Sequence, residues 1–392
     1  MLFQIKSKSE DFIVEEVLQE WVPSWKWDFM YIFFEKENLT TMDIVDDLTK
    51  KFHLRRDEIW IAWLKDKAWI TRQWISISKL SLDRIWWEKL FVDELLRKVK
   101  VLEKSYNEYW LKVASNVWNN FRIRLCAKQK ISKEIKDRIE SNIHKIMERW
   151  FPNCFGMQRF WKWRKNFHEA KNRLKILAKE YNEKWKLKEL DLPYHLRFLL
   201  QAYPSMYFNE YVLNRWEKWL FLLQWDVLVD RFNSNWVKTV VYDSQNIYEF
   251  DYQKLKKEKS DLNYFEPIVH WIKWVEFDWN KRFPTWPMIW WNLLLPLKWT
   301  KARVRDDQLL ELAEFDEWMQ QVCKIYNLRW VRRVLFIKVP ELYFEWDNDD
   351  IKFQFFLPTW SYATTLMSFI LQWIDYLTLK DNSLLIPRIL EK

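Results

Sequence analysis

Lys65 and Asp66 stand together in DEIWIAWLKDKAWITRQW, residues 57–74, after apolar Ile61 and Leu64 and before Thr71-Arg72-Gln73. A carboxylate drawn partly out of water beside a cation is kept ionised by that charge, which is how a nucleophilic or basic aspartate is prepared. The plainer alternative is a solvated acid–base pair on a surface turn. A second stretch, FPNCFGMQRFWKW (151–163), holds Asn153, whose amide is able to read a base edge, and Phe155, whose ring offers a stacking face. It is otherwise a loop with two core phenylalanines. In LPTWSYATT (357–365), Tyr362 follows a turn and is either a stacking platform or a packing residue.

Other chemistries find little support. The three cysteines, Cys126, Cys154 and Cys323, form no CxxC pair, so neither a disulfide framework nor a zinc site is expected. His168-Glu169 lacks the second histidine of an HExxH helix. A base deaminase also flips nucleotides but needs a zinc set that the cysteine spacing does not provide. The start, MLFQIKSKSEDF, is charged by its sixth residue, and no apolar run reaches the roughly 18 residues of a spanning helix. The expectation is a cytoplasmic protein with no membrane segment. Lys and Arg exceed Asp and Glu by nine, and the pI is near 9.1, which suits a polyanionic partner such as nucleic acid.

One count is anomalous: 31 tryptophans against a single glycine in 392 residues. An average chain of this length carries roughly 27 glycines. Glycine serves wherever the backbone takes positive φ or approaches a neighbour closely. The tryptophans occupy such contexts: PSWKWD (23–28), FDWNKR (277–282), PTWPM (284–288) and FEWDND (344–349) are polar turns with little for an indole to pack against. Some lineages read the codon UGA as glycine, whereas another code table renders it tryptophan. We infer that most tryptophan positions are glycine in the living protein.

The elements that must position these residues alternate along the chain. EDFIVEEV and DFMYIFFE have the two-residue period of strands. Residues 40–54, TTMDIVDDLTKKFHL, combine a capping threonine with helical spacing of Ile44, Val45, Leu48 and Phe52. EIWIAWLKD reads as a strand entering a turn, which puts Asp66 near a strand end. RIRLCA predicts a strand and residues 133–149 a helix, making α+β the expected class. From about 185 the texture changes to an aromatic helix (LPYHLRFLLQAYPSMYFNEYVLNRW) and a short strand (LLQWDVLVD). Residues 351–373 return to strand, turn and helix, and the late strand is placed in the first domain's sheet.

These stretches together resemble the TruD family of tRNA pseudouridine synthases. The family's Gly-x-Lys-Asp turn is similar to Trp63-Leu64-Lys65-Asp66 with Trp63 read as glycine. Its Asn-Tyr-Phe-Gly-x-Gln-Arg-Phe-Gly segment matches Asn153 to Trp161 except for Cys154 and the final residue. Its Leu-Pro-x-Gly-Ser-Phe/Tyr-Ala-Thr segment matches Leu357 to Thr364. Ser9 to Glu15, PTWPM and YPSMYFNEYVLNR add further likenesses in the same order. Trp25, Trp63, Trp161, Trp225, Trp286 and Trp360 fall on family glycines, whereas Trp74 falls on a family tryptophan.

The resemblance implies roles. Asp66 is the expected catalytic aspartate, with Lys65 as the supporting charge, and Phe12, Asn153, Phe155 and Tyr362 line the uridine pocket. It implies a pseudouridine-synthase-like α+β catalytic domain over 1–184 and 336–392, with a mixed, mainly antiparallel sheet flanked by helices. An inserted TruD-type α+β domain is expected over 185–335. The implied activity is isomerisation of uridine, at position 13 of tRNA, by a monomer without cofactor or metal. The competing expectation is a non-catalytic RNA-binding protein or tRNA chaperone.

Overall fold

A computed structural model describes residues 2–5, 7–18, 27–62, 65, 69–84, 88–112, 116–148, 150–156, 159–160, 165–184, 196, 199–218, 226–230, 238–242, 247–251, 273–274, 282–287, 301–326, 328, 332–339 and 341–371. The chain divides into two compact units, 1–138 with 339–363, and 139–338 with 364–392. The class is α+β.

Among the described residues, the first unit is built on a nine-stranded sheet. Its main path runs Leu342–Asp347, Asp350–Pro358, Asn116–Ala127, Phe12–Leu18, Ile70–Ser78, Phe29–Lys36 and Lys100–Asn107. Strand Phe3–Ile5 pairs with Asn116–Ala127, and Ile59–Ile61 with Ile70–Ser78. Every pairing is antiparallel except that of Phe12–Leu18 with Ile70–Ser78. The late strand Asp350–Pro358 joins the sheet beside Asn116–Ala127, where the sequence pattern put it.

Alternation along the strands sorts residues onto two faces. Met30, Ile32, Phe34, Ile75 and Ile77 pack under helix Thr41–Phe52 through Ile44, Val45 and Leu48, and under helix Glu88–Leu96 through Phe91 and Leu95. Helix Thr41–Phe52 begins at a capping box: Thr40 Oγ1 accepts from Asp43 N–H at 3.0 Å, and Asp43 Oδ2 from Thr40 N–H at 2.8 Å. On the opposite face Tyr31, Ala62, Trp74 and Leu111 form a smaller core. There Arg72 joins three strands, its guanidinium 2.8 Å from both Glu15 and Glu35.

Among the described residues, the second unit combines helices with an antiparallel six-stranded sheet, ordered Lys273–Trp274, Ile247–Asp251, Lys238–Tyr242, Val227–Asp230, Arg282–Pro287 and Arg332–Val334. Helix Lys165–Lys184 packs on Ala202–Glu217 and Glu317–Ile325. Phe167, Tyr203 and Tyr207 fill one of these contacts with rings 5.0–6.3 Å apart. Arg215, fully buried, makes a bidentate pair with Asp226 at 2.6 and 2.8 Å.

The tryptophans separate by environment. Trp74 is 9% exposed, stacks on Phe33 at 4.9 Å and belongs to a core. Trp360 is 45% exposed and stands at φ 72°, the left-handed region that penalises any Cβ. That is the conformation expected of the glycine in Leu-Pro-x-Gly-Ser. Trp286 lies in strand Arg282–Pro287, and Trp25, Trp63, Trp161 and Trp225 lie outside the described residues.

Candidate active site

In the first unit the polar residues gather on the sheet face that carries Phe12, Val14 and Glu16. Lys65 lies in the connection between strands Ile59–Ile61 and Ile70–Ser78. Its main-chain N–H donates to Thr41 Oγ1 at 2.9 Å, and Thr41 donates on to Gln73 Oε1 at 3.0 Å. Its ammonium lies 3.2 Å from Glu16 Oε1 and donates to Asn119 Oδ1 at 2.9 Å. Trp74 N–H donates to Glu16 Oε2 at 3.2 Å. Burial pushes the Glu16 carboxyl above the usual glutamate range, and the Lys65 charge opposes that rise. Lys65 therefore has an interior carboxylate as its ion-pair partner. Asp66, the next residue in the chain, lies outside the described residues.

The turn carrying Tyr362 reaches the same network. Strand Asp350–Pro358 pairs with Asn116–Ala127 up to Pro358 opposite Trp118. Thr359 Oγ1 then donates to the Asn116 carbonyl, and Asn116 Nδ2 donates to Asn119 Oδ1 at 3.4 Å. A run of polar contacts thus links Lys65, through Asn119 and Asn116, to the turn that delivers half-buried Tyr362. Phe12, at the start of its strand, is buried against Trp69 and Phe121, with ring centroids 5.9 and 6.2 Å away.

In the second unit the segment after strand Phe151–Pro152 is tied at each residue. Asn153 N–H donates to Leu335 O at 2.8 Å and its Nδ2 to Val334 O at 3.0 Å. Arg333 donates to the Asn153 carbonyl at 3.1 and 3.3 Å and to its Oδ1 at 3.0 Å. Thr365 Oγ1 donates to the Cys154 carbonyl at 3.1 Å. Phe155 exchanges two bonds with the Asn209 side chain, at 2.7 and 2.8 Å. The Phe155 ring meets Phe208 edge-on at 5.6 Å and has guanidinium carbons of Arg333 and Arg159 at 4.0 and 5.5 Å from its centroid. Asn153 and Phe155 are thus neighbours in one buried cluster held by the Arg333 guanidinium.

Residues 2–187 match the family described as tRNA pseudouridine synthase D (TruD). The chain is 29% identical over 216 residues to the tRNA pseudouridine synthase D of Sulfurimonas denitrificans, covering 55% of each chain. It is 30% identical over 210 residues to that of Campylobacter jejuni, covering 53% of this chain and 50% of the relative. This chain resembles the TruD family over residues 2–187. Its matched part spans about half the length of these curated relatives. The fold is also similar to the crystal structure of a putative tRNA pseudouridine synthase D from Methanosarcina mazei. That likeness has a TM-score of 0.59 at 16% identity over 94% of this chain and 93% of the other.

The TruD match includes Phe12, Lys65, Asp66, Asn153 and Phe155, while Tyr362 lies beyond it. Sequence reasoning missed Glu16, Asn119 and Arg333. Glu16 directly follows a quoted motif, and Arg333 sits in RRV with no pattern of its own. Asn209 was within reach, because the stretch YPSMYFNEYVLNR contains it. Among the described residues, no group of three or more His, Cys, Asp or Glu is placed to hold a metal ion. Nor, among them, is any helix long and apolar enough to cross a membrane.

Proposed function

We propose that the chain is a tRNA pseudouridine synthase in which Asp66 is the catalytic aspartate. What supports the reading is that the TruD match runs through Lys65-Asp66, Asn153 and Phe155 together. The reaction is an isomerisation without a cofactor. The C1′–N1 bond of a uridine breaks, the uracil turns within the pocket, and C5 bonds to C1′. The proton lost from C5 is balanced by the one gained at N1. Asp66 acts as an ionised carboxylate on C1′ or on the base. By likeness to the TruD family the target is uridine 13 of tRNA. The catalytic domain would be 1–184 with 336–392, around an inserted domain at 185–335.

The uridine is extruded from its stack before it reacts. Unstacking costs a few kcal/mol, offset by aromatic contacts and base-edge hydrogen bonds. Phe12, Phe155 and Tyr362 supply the aromatic surface. The Asn153 amide has two donors and two lone pairs. One donor goes to Val334 and one lone pair to Arg333, leaving one of each for the edge of a uracil. The excess of nine positive charges favours binding of tRNA phosphates.

The test is to incubate transcribed tRNA with protein expressed from a gene encoding glycine at the reread codons, then map pseudouridine. Product at position 13 supports the reading in full. Product at another uridine supports the activity and removes the site assignment. Binding without product by the wild type favours an RNA-binding protein or chaperone instead.

A further inference from the structure

We propose that Glu16 is a positioning residue for Asp66 and acts through Lys65. The inference rests on the reading of Asp66 as the catalytic aspartate. The side chain of Glu16 is wholly buried and that of Lys65 is 9% exposed. A buried ion pair is a weak source of stability, because taking both charges out of water costs about what their attraction returns. Two apolar side chains would cover the same sheet face at least as well. What the pair adds is geometry.

Lys65 is held at both ends. Its main chain is fixed by Thr41 at 2.9 Å, and its ammonium by Glu16 at 3.2 Å and Asn119 at 2.9 Å. Those partners are themselves fixed: Thr41 by Gln73, and Glu16 by the main chain of Trp74. Strands Phe12–Leu18, Ile70–Ser78 and Asn116–Ala127 and helix Thr41–Phe52 all converge on the residue that precedes Asp66. A residue pinned at its amide and at its side-chain tip sets the direction in which the chain leaves it. Of these contacts, Glu16 supplies the only carboxylate within ion-pair distance of the Lys65 ammonium among the described residues. Without it, that ammonium is a buried charge facing only an amide oxygen, and it is driven to swing toward water. Asp66, bonded directly to Lys65, then loses the anchor that precedes it. A misplacement of about 1 Å at a reacting group costs about 100-fold in rate.

The experiment compares wild type, Glu16→Gln, Lys65→Met and the double variant for pseudouridine formation, tRNA binding and thermal unfolding. Glu16→Gln is expected to lower kcat about 100-fold with KM for tRNA unchanged. In the Lys65→Met background it is expected to cause no further loss, because the residue it acts through is gone. Where Glu16→Gln does not fold, Glu16→Met combined with Lys65→Met removes both charges and carries the test. That protein is expected to fold, bind tRNA and turn over about 100-fold more slowly. Losses that multiply in the double variant overturn the proposal. So does a wild-type kcat in Glu16→Gln or in the double Met variant. A wild type that forms no pseudouridine overturns the reading of Asp66 itself, a failure recognisable without any variant.

Discussion

The guanidinium carbon of Arg333 lies 4.0 Å from the centre of the Phe155 ring, and the same guanidinium donates to both oxygens of Asn153. One cation therefore fixes the two residues expected to hold the uracil. It does so across 180 residues of sequence. Its fork explains why an arginine stands there, since it donates to two acceptors while its charge faces a ring. Arg333→Lys keeps the charge and loses the fork. The variant is expected to lose about 1.5–3 kcal/mol of stability, the scale of a hydrogen bond to a charged group. Product formation should fall more than tRNA binding. Urea denaturation and a kinetic assay check both, and an unchanged midpoint contradicts the role.

Glu16 gives the site a pH signature. Lys65 faces it from its loop, Lys36 from strand Phe29–Lys36, Asn119 from Asn116–Ala127 and the Trp74 amide from Ile70–Ser78. Burial nevertheless raises its pKa above 4.5. From 4.5 up to the raised value, the folded protein holds a proton that the unfolded chain has released. The stability tied to this proton is full below that window and declines as pH rises through it. Unfolding free energies measured across acidic pH should show a falling segment in the wild type that Glu16→Gln lacks. A rising segment attributable to Glu16 contradicts the assignment.

Trp360 tests the glycine reading directly. In protein that carries tryptophan there, Trp360→Gly relieves a left-handed backbone and is expected to raise stability by about 1 kcal/mol. Trp74→Gly, in contrast, empties a core and should destabilise severely. Thermal unfolding of the two variants distinguishes the positions. The protein isolated from its own cells should have an intact mass several kilodaltons below 49.4 kDa. Recovery of the full 49.4 kDa contradicts the rereading.

Association with tRNA should weaken steeply with salt, because neutralised phosphates release counterions. A plot of log affinity against log salt concentration is expected to be linear and descending. An affinity indifferent to salt contradicts a phosphate-dominated interface.

Local pattern made much of the fold legible. The alternation in EDFIVEEV became strand Phe12–Leu18, and Thr40 caps the helix read from Ile44, Val45, Leu48 and Phe52. The late run IKFQFFLP joined the first sheet, because its alternating Ile351, Phe353, Phe355 and Leu357 are buried on one face. Contacts between distant segments were not legible. Nothing local to Glu16 indicates Lys65, 49 residues later, and no periodicity ties Arg333 to Asn153. The stretch around Lys65 carries no sign of Glu16 or Asn119, the partners of its ammonium. Such partners are set by strand order, which short-range spacing does not encode.

Asp66→Asn puts the central claim to its most direct test, because it removes one negative charge at almost constant shape. Pseudouridine formed on tRNA and the affinity for that tRNA are measured side by side with the wild type. The account predicts product from the wild type, none from the variant, and binding close to wild type in both. Pseudouridine formed by Asp66→Asn at the wild-type rate would contradict it.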